Sequence, residues 1–334
     1  MEQASRGSRS SGGDGREVAD NPPCGRRGAS RQRLAASARA TAMSCIKTTA
    51  RSFYYAATLP YRWWTRRAAE AAHRAAVVVL TYHRVADDRA TPWTMSNRMF
   101  ARQMEWLAPR FDLVSLEEAQ RRLRAGDNDR TAVCITFDDG YADNCQAAIP
   151  LLVRRRIPCA YFVTLGNVLD GAPFDHDLKL GKPAPPNTVE QLRAMADAGI
   201  EIGSHGYEHV DMGRISDPRE IQRQVLVSGL RIGRLLGRTV RYFAFPFGHG
   251  EHLSPAAVAT ARQAGYEGVC SCSGGYNFPG QDPFLLARIP MDDSMSFLKN
   301  CVTVDPRKAR VASSSGPPSV GGREVPSLDA RPWP

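Results

Sequence analysis

Hydrophobic positions follow two rhythms along this chain. Short, nearly unbroken apolar and β-branched runs recur: AAVVVLTYH (75–83), TAVCITFDDG (131–140), PCAYFVTL (158–165), IEIGSH (200–205), VRYFAFPFG (240–248), EGVCSCS (267–273) and LLARIP (285–290). Runs of this length without polar alternation predict strands buried on both faces, as in a parallel sheet. Segments with helical spacing lie between them. In SNRMFARQMEWLAPR (96–110), Phe100, Met104 and Leu107 share one helix face. NCQAAIPLLVRRR (144–156) is helical in part. NTVEQLRAMADAG (187–199) has Asn187 or Thr188 as cap and Gly199 as stop. DPREIQRQVLVSGLRIGRLLG (217–237) is a long amphipathic helix, and SPAAVATARQAG (254–265) opens on a serine cap. Strands alternating with helices over 75–303 predict an α/β domain, a parallel sheet with crossover helices of (β/α)-barrel size.

The ends differ in texture. Residues 1–42 are polar and rich in Gly, Ser and Arg, which predicts a disordered basic segment. The composition shifts at Met43, a candidate true start. From there, residues 43–74 form a basic, aromatic helical arm, with arginines alternating with Phe53, Tyr54, Tyr55, Tyr61, Trp63 and Trp64 over 48–74. Two readings of that stretch compete: a peripheral membrane-surface helix, or an N-terminal helix packed on the body through its aromatics. Pro60 favours the second. The tail 304–334, ending SSSGPPSVGGREVPSLDARPWP, reads as disordered, and the Pro/Gly-rich 171–186 as a surface loop.

Charge sharpens this division. The chain of 334 residues carries a formal net charge of +10, of which +9 falls in residues 1–74 and +2 in 304–334. The body is therefore close to neutral, which argues against a nucleic-acid partner. No stretch approaches a membrane span, and residues 1–42 lack an apolar signal core. The expected location is cytoplasmic, or peripheral on the inner membrane through 48–74. None of the eight cysteines forms a CxxC pair. Cys270 and Cys272 form a CxC on one strand face, and the pattern suits structural thiols in a reducing compartment.

Parallel α/β folds gather function at the C-terminal ends of their strands. The first strand delivers His83 there, and the second Asp138 and Asp139. The fourth delivers His205 and His209, and the fifth Pro246, Phe247 and Gly248. FDDG alone is a common turn, and HxxxH alone arises by chance. Together they make a carboxylate and two imidazoles, a three-ligand set for a divalent cation with positions open to water and substrate. One aspartate can bind the ion while the other takes a proton from water.

These residues resemble a known family. TFDDGYADN (136–144), IEIGSHGYEHVDM (200–212) and YFAFPFG (242–248), supported by PCAYFVT (158–164) and VLTYHRV (79–85), are similar to the polysaccharide deacetylases of carbohydrate esterase family 4, the NodB-homology domain. The likeness covers about 76–303 and implies a distorted (β/α)7 barrel that removes N- or O-acetyl groups from an acetylated polysaccharide or oligosaccharide. It implies Asp138 as base, Asp139, His205 and His209 as metal ligands, zinc as the usual ion, and a groove lined by Pro246, Phe247 and Gly248. The Phe247 N–H is then an oxyanion donor.

Three departures stand out. Gly206 replaces the Ser or Thr that usually follows the first metal histidine. The arginine many members carry in the third motif falls near Ala244, leaving Arg241 and Arg288 as candidates to orient the base. No histidine follows His252 in the chain, although many members use a late histidine as acid. His83, in TYHRV, is the substitute, as in the poly-N-acetylglucosamine deacetylase branch that the chain most resembles, and His249 is the runner-up. Asp175, His176 and Asp177 are expected to be solvated loop residues. The competing functions are hydrolysis of a small cyclic amide or ureide on the same scaffold, and a non-catalytic carbohydrate-binding homologue.

Overall fold

The computed structural model describes residues 26–307, with side chains from residue 48 onward. Eight strands run in one ring: β1 Val77–Tyr82, β2 Ala132–Phe137, β3 Cys159–Val163, β4 Glu201–Ser204, β5 Tyr242–Ala244, β6 Gly268–Cys270, β7 Leu285–Leu286 and β8 Arg288–Pro290. Every pairing is parallel, and the order is β7-β6-β5-β4-β3-β2-β1-β8. The two ends of that path are consecutive in sequence. Leu286 pairs with Cys270 on one side, and Ile289 pairs with Leu80 on the other. LLARIP is thus one strand bent at Ala287. The Asn277 side chain secures the bend, accepting from the Ala287 N–H at 2.8 Å and donating to its carbonyl at 2.9 Å. Counted as one, β7 and β8 give seven strand units, a nearly closed (β/α)7 barrel.

Side chains alternate along each strand, as the two-residue period requires. Val77, Val79, Cys134, Ala160, Phe162, Ala244, Cys270 and Leu286 form one buried cluster with Leu116, Ala119 and Leu123 of the helix Leu116–Ala125. Val78, Leu80, Val133, Ile135, Tyr161, Val163 and Ile202 belong to a second, packed against the outer helices. Cys134 and Cys270 lie in the first cluster and Cys272 is buried two residues on, so the CxC pair packs. Burial pushes the Cys270 thiol up to about 12, which does not suit a metal or redox role.

Two predicted elements differ in detail. The helix expected over 217–237 is interrupted by a π-helical turn, Arg223–Val227, between Pro218–Gln222 and Ser228–Leu236. Such turns arise where one extra residue is accommodated in a helix, often at functional sites. The loop 171–186 contains the short helix Asp175–Lys179.

The arm is one helix, Arg26–Ala71, which begins upstream of Met43 and runs through Pro60. Ala56 and Pro60 are both exposed, so water can take the hydrogen bond that proline cannot supply. Residues 48–71 belong to the same compact unit as the barrel. Arg62, 1% exposed, donates to the Asn300 carbonyl and side chain at 2.8 Å each, and Tyr54 donates to Asp305 at 2.9 Å. Asp305, expected in the tail, is buried. Residues 1–25 and 308–334, the bulk of the predicted disordered ends, lie outside the described residues. Among the described residues, no helix is long and apolar enough to cross a membrane.

Candidate active site

The interior face of β2 carries Cys134 and Thr136, and Asp138 continues that alternation just past the strand end. Leu286 and Arg288 continue the interior face of the bent last strand. Closing the barrel brings the two together. Arg288 Nη1 donates to Asp138 Oδ1 at 2.6 Å and Nη2 to Oδ2 at 2.7 Å. Arg288 is fully buried, and its Nε donates to the Ser271 carbonyl at 2.9 Å. Burial alone would raise the Asp138 pKa, but the Arg288 charge outweighs it and holds the carboxyl at about 2. Of the two arginines proposed to orient this carboxylate, Arg288 is therefore the one in place. Arg241 stands at the other end of its strand, before β5, and pairs with Glu201 and Glu117.

Asp139 occupies a left-handed backbone position, φ 72°, and Gly140 follows at φ 100°. That reversal turns the Asp139 side chain out of the strand alternation. Its Oδ1 lies 3.5 Å from His205 Nε2 and 3.5 Å from His209 Nε2. The carboxylate is buried, yet Oδ1 has no hydrogen-bond donor. His205 Nδ1 lies 2.9 Å from the Ala244 carbonyl, which only accepts, so the proton sits on Nδ1 and the Nε2 lone pair faces Asp139. Burial lowers both histidines to about 4, so both are neutral near pH 7. Lone pairs of a buried carboxylate and two neutral imidazoles thus converge, with ligand atoms all within 4.8 Å of one another. Such a set could hold a cation, and its donors suit a divalent ion of the zinc type.

The segment carrying the histidines is held by a device that sequence reasoning missed. Gln224, fully buried on the π-helical turn, accepts from the Tyr207 and Glu208 backbone N–H groups at 2.9 Å each. It supplies the hold expected of a Ser or Thr at position 206. Gly206 has φ 89°, and a Cβ there would lie 3.1 Å from both Gln224 Oε1 and the Glu208 carbonyl.

The loop 171–186 also departs from expectation. His176 Nε2 shares a 2.7 Å hydrogen bond with the Tyr141 hydroxyl and lies 3.9 Å from Asp139 Oδ2. Its ring stacks on Phe174 and meets His209 at 5.4 Å. Asp177 is fully buried and accepts from Trp93 Nε1 at 3.1 Å. These two are wall residues of the site, because the aromatic cluster of Trp93, Tyr141 and Phe174 folds the loop inward. Only the aromatic content of positions 93, 141 and 174 hinted at this. Asp175 is exposed, as expected.

His83 follows β1, half-buried, and Asp138 and His209 both feel its charge. His249 is exposed, with His252 as its ring neighbour at 6.0 Å. Phe247, at φ 60°, sets its half-exposed ring 4.7 Å from His209. Its backbone N–H makes no hydrogen bond among the described residues. Pro246 and Gly248 flank it, and the Gly248 carbonyl is tied to the Cys272 N–H at 2.6 Å.

Comparisons with known proteins agree with this geometry. Residues 125–269, which include Asp138, Asp139, His205 and His209, match the family model described as polysaccharide deacetylase. YxkH of Bacillus subtilis, a protein assigned to the polysaccharide deacetylases, is 24% identical over 220 residues, covering 65% of this chain and 72% of that protein. Among solved structures, IcaB from Ammonifex degensii is 24% identical with a TM-score of 0.55, covering 69% of this chain and 98% of that one. The Streptococcus pyogenes deacetylase PplD, solved in complex with acetate, is 19% identical with a TM-score of 0.58, covering 69% and 99%. A de-N-acetylase from Aggregatibacter actinomycetemcomitans is 20% identical with a TM-score of 0.55, covering 68% and 99%. On the barrel, the motif order and these matches, the chain is similar to the polysaccharide deacetylases, with the likeness to the family model confined to residues 125–269.

Proposed function

We propose that the protein is a metal-dependent deacetylase that hydrolyses N-acetyl groups on a glycan, with O-acetyl groups as the alternative ester substrate. The observation that carries this reading is the orphaned Asp139 Oδ1, buried and facing two imidazole lone pairs at 3.5 Å, beside the Arg288-held carboxylate of Asp138. Asp139, His205 and His209 would hold a divalent ion, zinc by the family resemblance. Bound there, the ion supplies Lewis-acid polarisation of the acetyl carbonyl and lowers the pKa of water.

The chain's own residues do the rest. Asp138 stays ionised through the physiological range and accepts a proton from the attacking water, while Arg288 fixes the plane of its carboxylate. The Phe247 N–H donates to the oxygen that becomes negative as the carbonyl turns tetrahedral. His83, on the neighbouring strand end, gives a proton to the departing sugar amine. Phe247 and the Trp93–His176 wall bound the cleft on either side. Two structural neighbours, a deacetylase solved with acetate and a de-N-acetylase, support acetyl transfer to water as the chemistry.

The test is acetate release from N-acetylated and O-acetylated oligosaccharides by the native, chelated and re-metallated protein. Turnover lost on chelation and restored by zinc is the expected outcome. An Asp138→Asn protein that keeps its fold, its metal and full turnover would refute the base assignment. Turnover of a cyclic imide with no acetate release would move the reading to amide hydrolysis of small rings.

A further inference from the structure

The arm helix turns two faces in opposite directions, and only one is used. Arg51, Tyr54 and Arg62 point inward to Asp292, Asp305 and Asn300. Phe53, Tyr61, Trp63 and Trp64 point outward, Phe53 at 75% exposure and each tryptophan at 63%. Exposed aromatics this large, set within a few turns of one helix, mark an interaction surface.

Beside this face runs a groove of about 370 Å³ between the arm and the helix Asn97–Leu107. Tyr55, Trp63, Trp106 and Phe111 give it an aromatic floor. Arg62, Arg66, Arg67 and Arg110 line it as well, and no carboxylate does. The Arg67 guanidinium stands 5.5 Å from the Trp63 ring centre, and that of Arg110 stands 5.1 Å from Trp106. From residue 21 to residue 69 the sequence carries ten Lys and Arg and no Asp or Glu.

We propose that this surface docks the protein on an anionic phospholipid bilayer, with a lipid phosphate between Arg67 and Arg110, while Arg66 is held by Glu70 at 2.7 Å. Trp63, Trp64, Tyr61 and Phe53 enter the headgroup–acyl boundary. Tryptophan and tyrosine favour that boundary because each ring has an apolar body and a polar edge. Guanidinium groups beside them match phosphate in charge and geometry. The inward contacts of Arg51, Tyr54 and Arg62 fix the helix before binding, so little ordering is left for the membrane to impose. The proposal is independent of the deacetylase reading.

The test uses the full chain with extruded vesicles of phosphatidylcholine, with and without phosphatidylglycerol. Co-sedimentation and tryptophan emission are the readouts. The expected result is salt-sensitive binding to the anionic vesicles, with a blue shift and protection from an aqueous quencher. Trp63→Ser with Trp64→Ser abolishes the binding. Arg67→Gln and Arg110→Gln each weaken it about fivefold, the factor for one basic residue at an anionic surface. All four changes lie at the surface, and an unchanged unfolding midpoint checks that the fold survives. Failure of the native chain to bind, or variants that bind as it does, would overturn the proposal, the latter by assigning binding to residues 1–47. A Trp63-dependent dimer in solution, or vesicle binding displaced by a soluble polyanion with no blue shift, would also overturn it.

Discussion

Replacing Arg288 by methionine keeps most of the side-chain volume and removes the charge that Asp138 faces. Both guanidinium nitrogens donate to that carboxylate, at 2.6 and 2.7 Å, and both groups are buried. Breaking one side of such a pair costs about 3–5 kcal/mol, because the remaining charge is left buried without a partner. The titration behaviour gives a second route to the magnitude. The folded-state pKa of Asp138 is about 2, against an ordinary 3.8. A folded pKa below the unfolded one stabilises the fold above the unfolded value, and this contribution is lost as pH falls through the folded value. That shift is worth about 2 kcal/mol, present above pH 4 and gone near pH 2.

In the Arg288→Met protein, burial is the dominant influence left and it raises the pKa, so the sign reverses. The variant then loses stability as pH climbs through its raised pKa, where the native protein does not. The stability gap should therefore be small near pH 2 and open toward neutrality. Urea unfolding at a series of pH values measures this directly. The acid limb of kcat/KM should move upward with the same pKa, while metal content stays native. Adding Asp138→Asn to Arg288→Met should recover part of the lost stability, because the unpaired charge is gone. A gap that is flat with pH, or an unmoved acid limb, would refute the view that Arg288 sets the state of Asp138.

Three further outcomes follow from the same geometry. Gln224→Ala strips two buried N–H groups of their acceptor and should cost roughly 1–3 kcal/mol in denaturant unfolding, while Gly206→Ser should lower the midpoint as well, because its Cβ meets Gln224 and Glu208 at a backbone angle unfavourable to side chains. His83→Asn should lower kcat about a hundredfold with metal content retained; undiminished turnover would pass the proton-donor role to another group. In the chelated protein, His205 and His209 have folded pKa values of about 4 against an ordinary 6.5, so the unfolded chain binds more protons between those values. Stability without metal should therefore rise with pH across that window and fall away on acidification, which thermal unfolding in the presence of chelator will show.

How far the sequence carried depended on whether a feature was local. Strand runs such as VCITF, with their carboxylates at the C-terminal end, are local patterns, and the barrel and the Asp138–Asp139–His205–His209 set follow from them. The caps at Thr188 and Ser254 are local too, and each accepts from the expected N–H three residues on. What stayed hidden was set by tertiary contact. Gln224 looks like any polar residue of an amphipathic helix until the π-turn aims it at the 207–208 backbone. His176 and Asp177 look like solvated loop until Trp93, Tyr141 and Phe174 form a cluster that pulls them in. The arm packs on the body as the second of its two readings expected, through Tyr54 and Arg62, and a sequence window could not choose between the readings because it averages the two sides of a helix.

Arg288 shows best why distance along the chain conceals function. It lies 150 residues from Asp138, on a two-part strand that pairs with β1, which in turn pairs with β2. Its side chain reaches the carboxylate only because β8 completes the ring and points position 288 inward, in step with Leu286. Held on the opposite end of the open sheet, the same arginine would leave Asp138 with no counter-charge in a buried layer. The pair therefore ties closure of the barrel to the chemistry of its mouth. Until the last strand bends at Ala287 and docks on β1, the buried carboxylate is an unfavourable charge. Afterwards it is a carboxylate held by two guanidinium hydrogen bonds, placed for the proposed role of base. An arginine placed in the third motif would orient the base from β5 and would make no such demand on the closing strand. In this chain the element that completes the fold is also the one that readies the site.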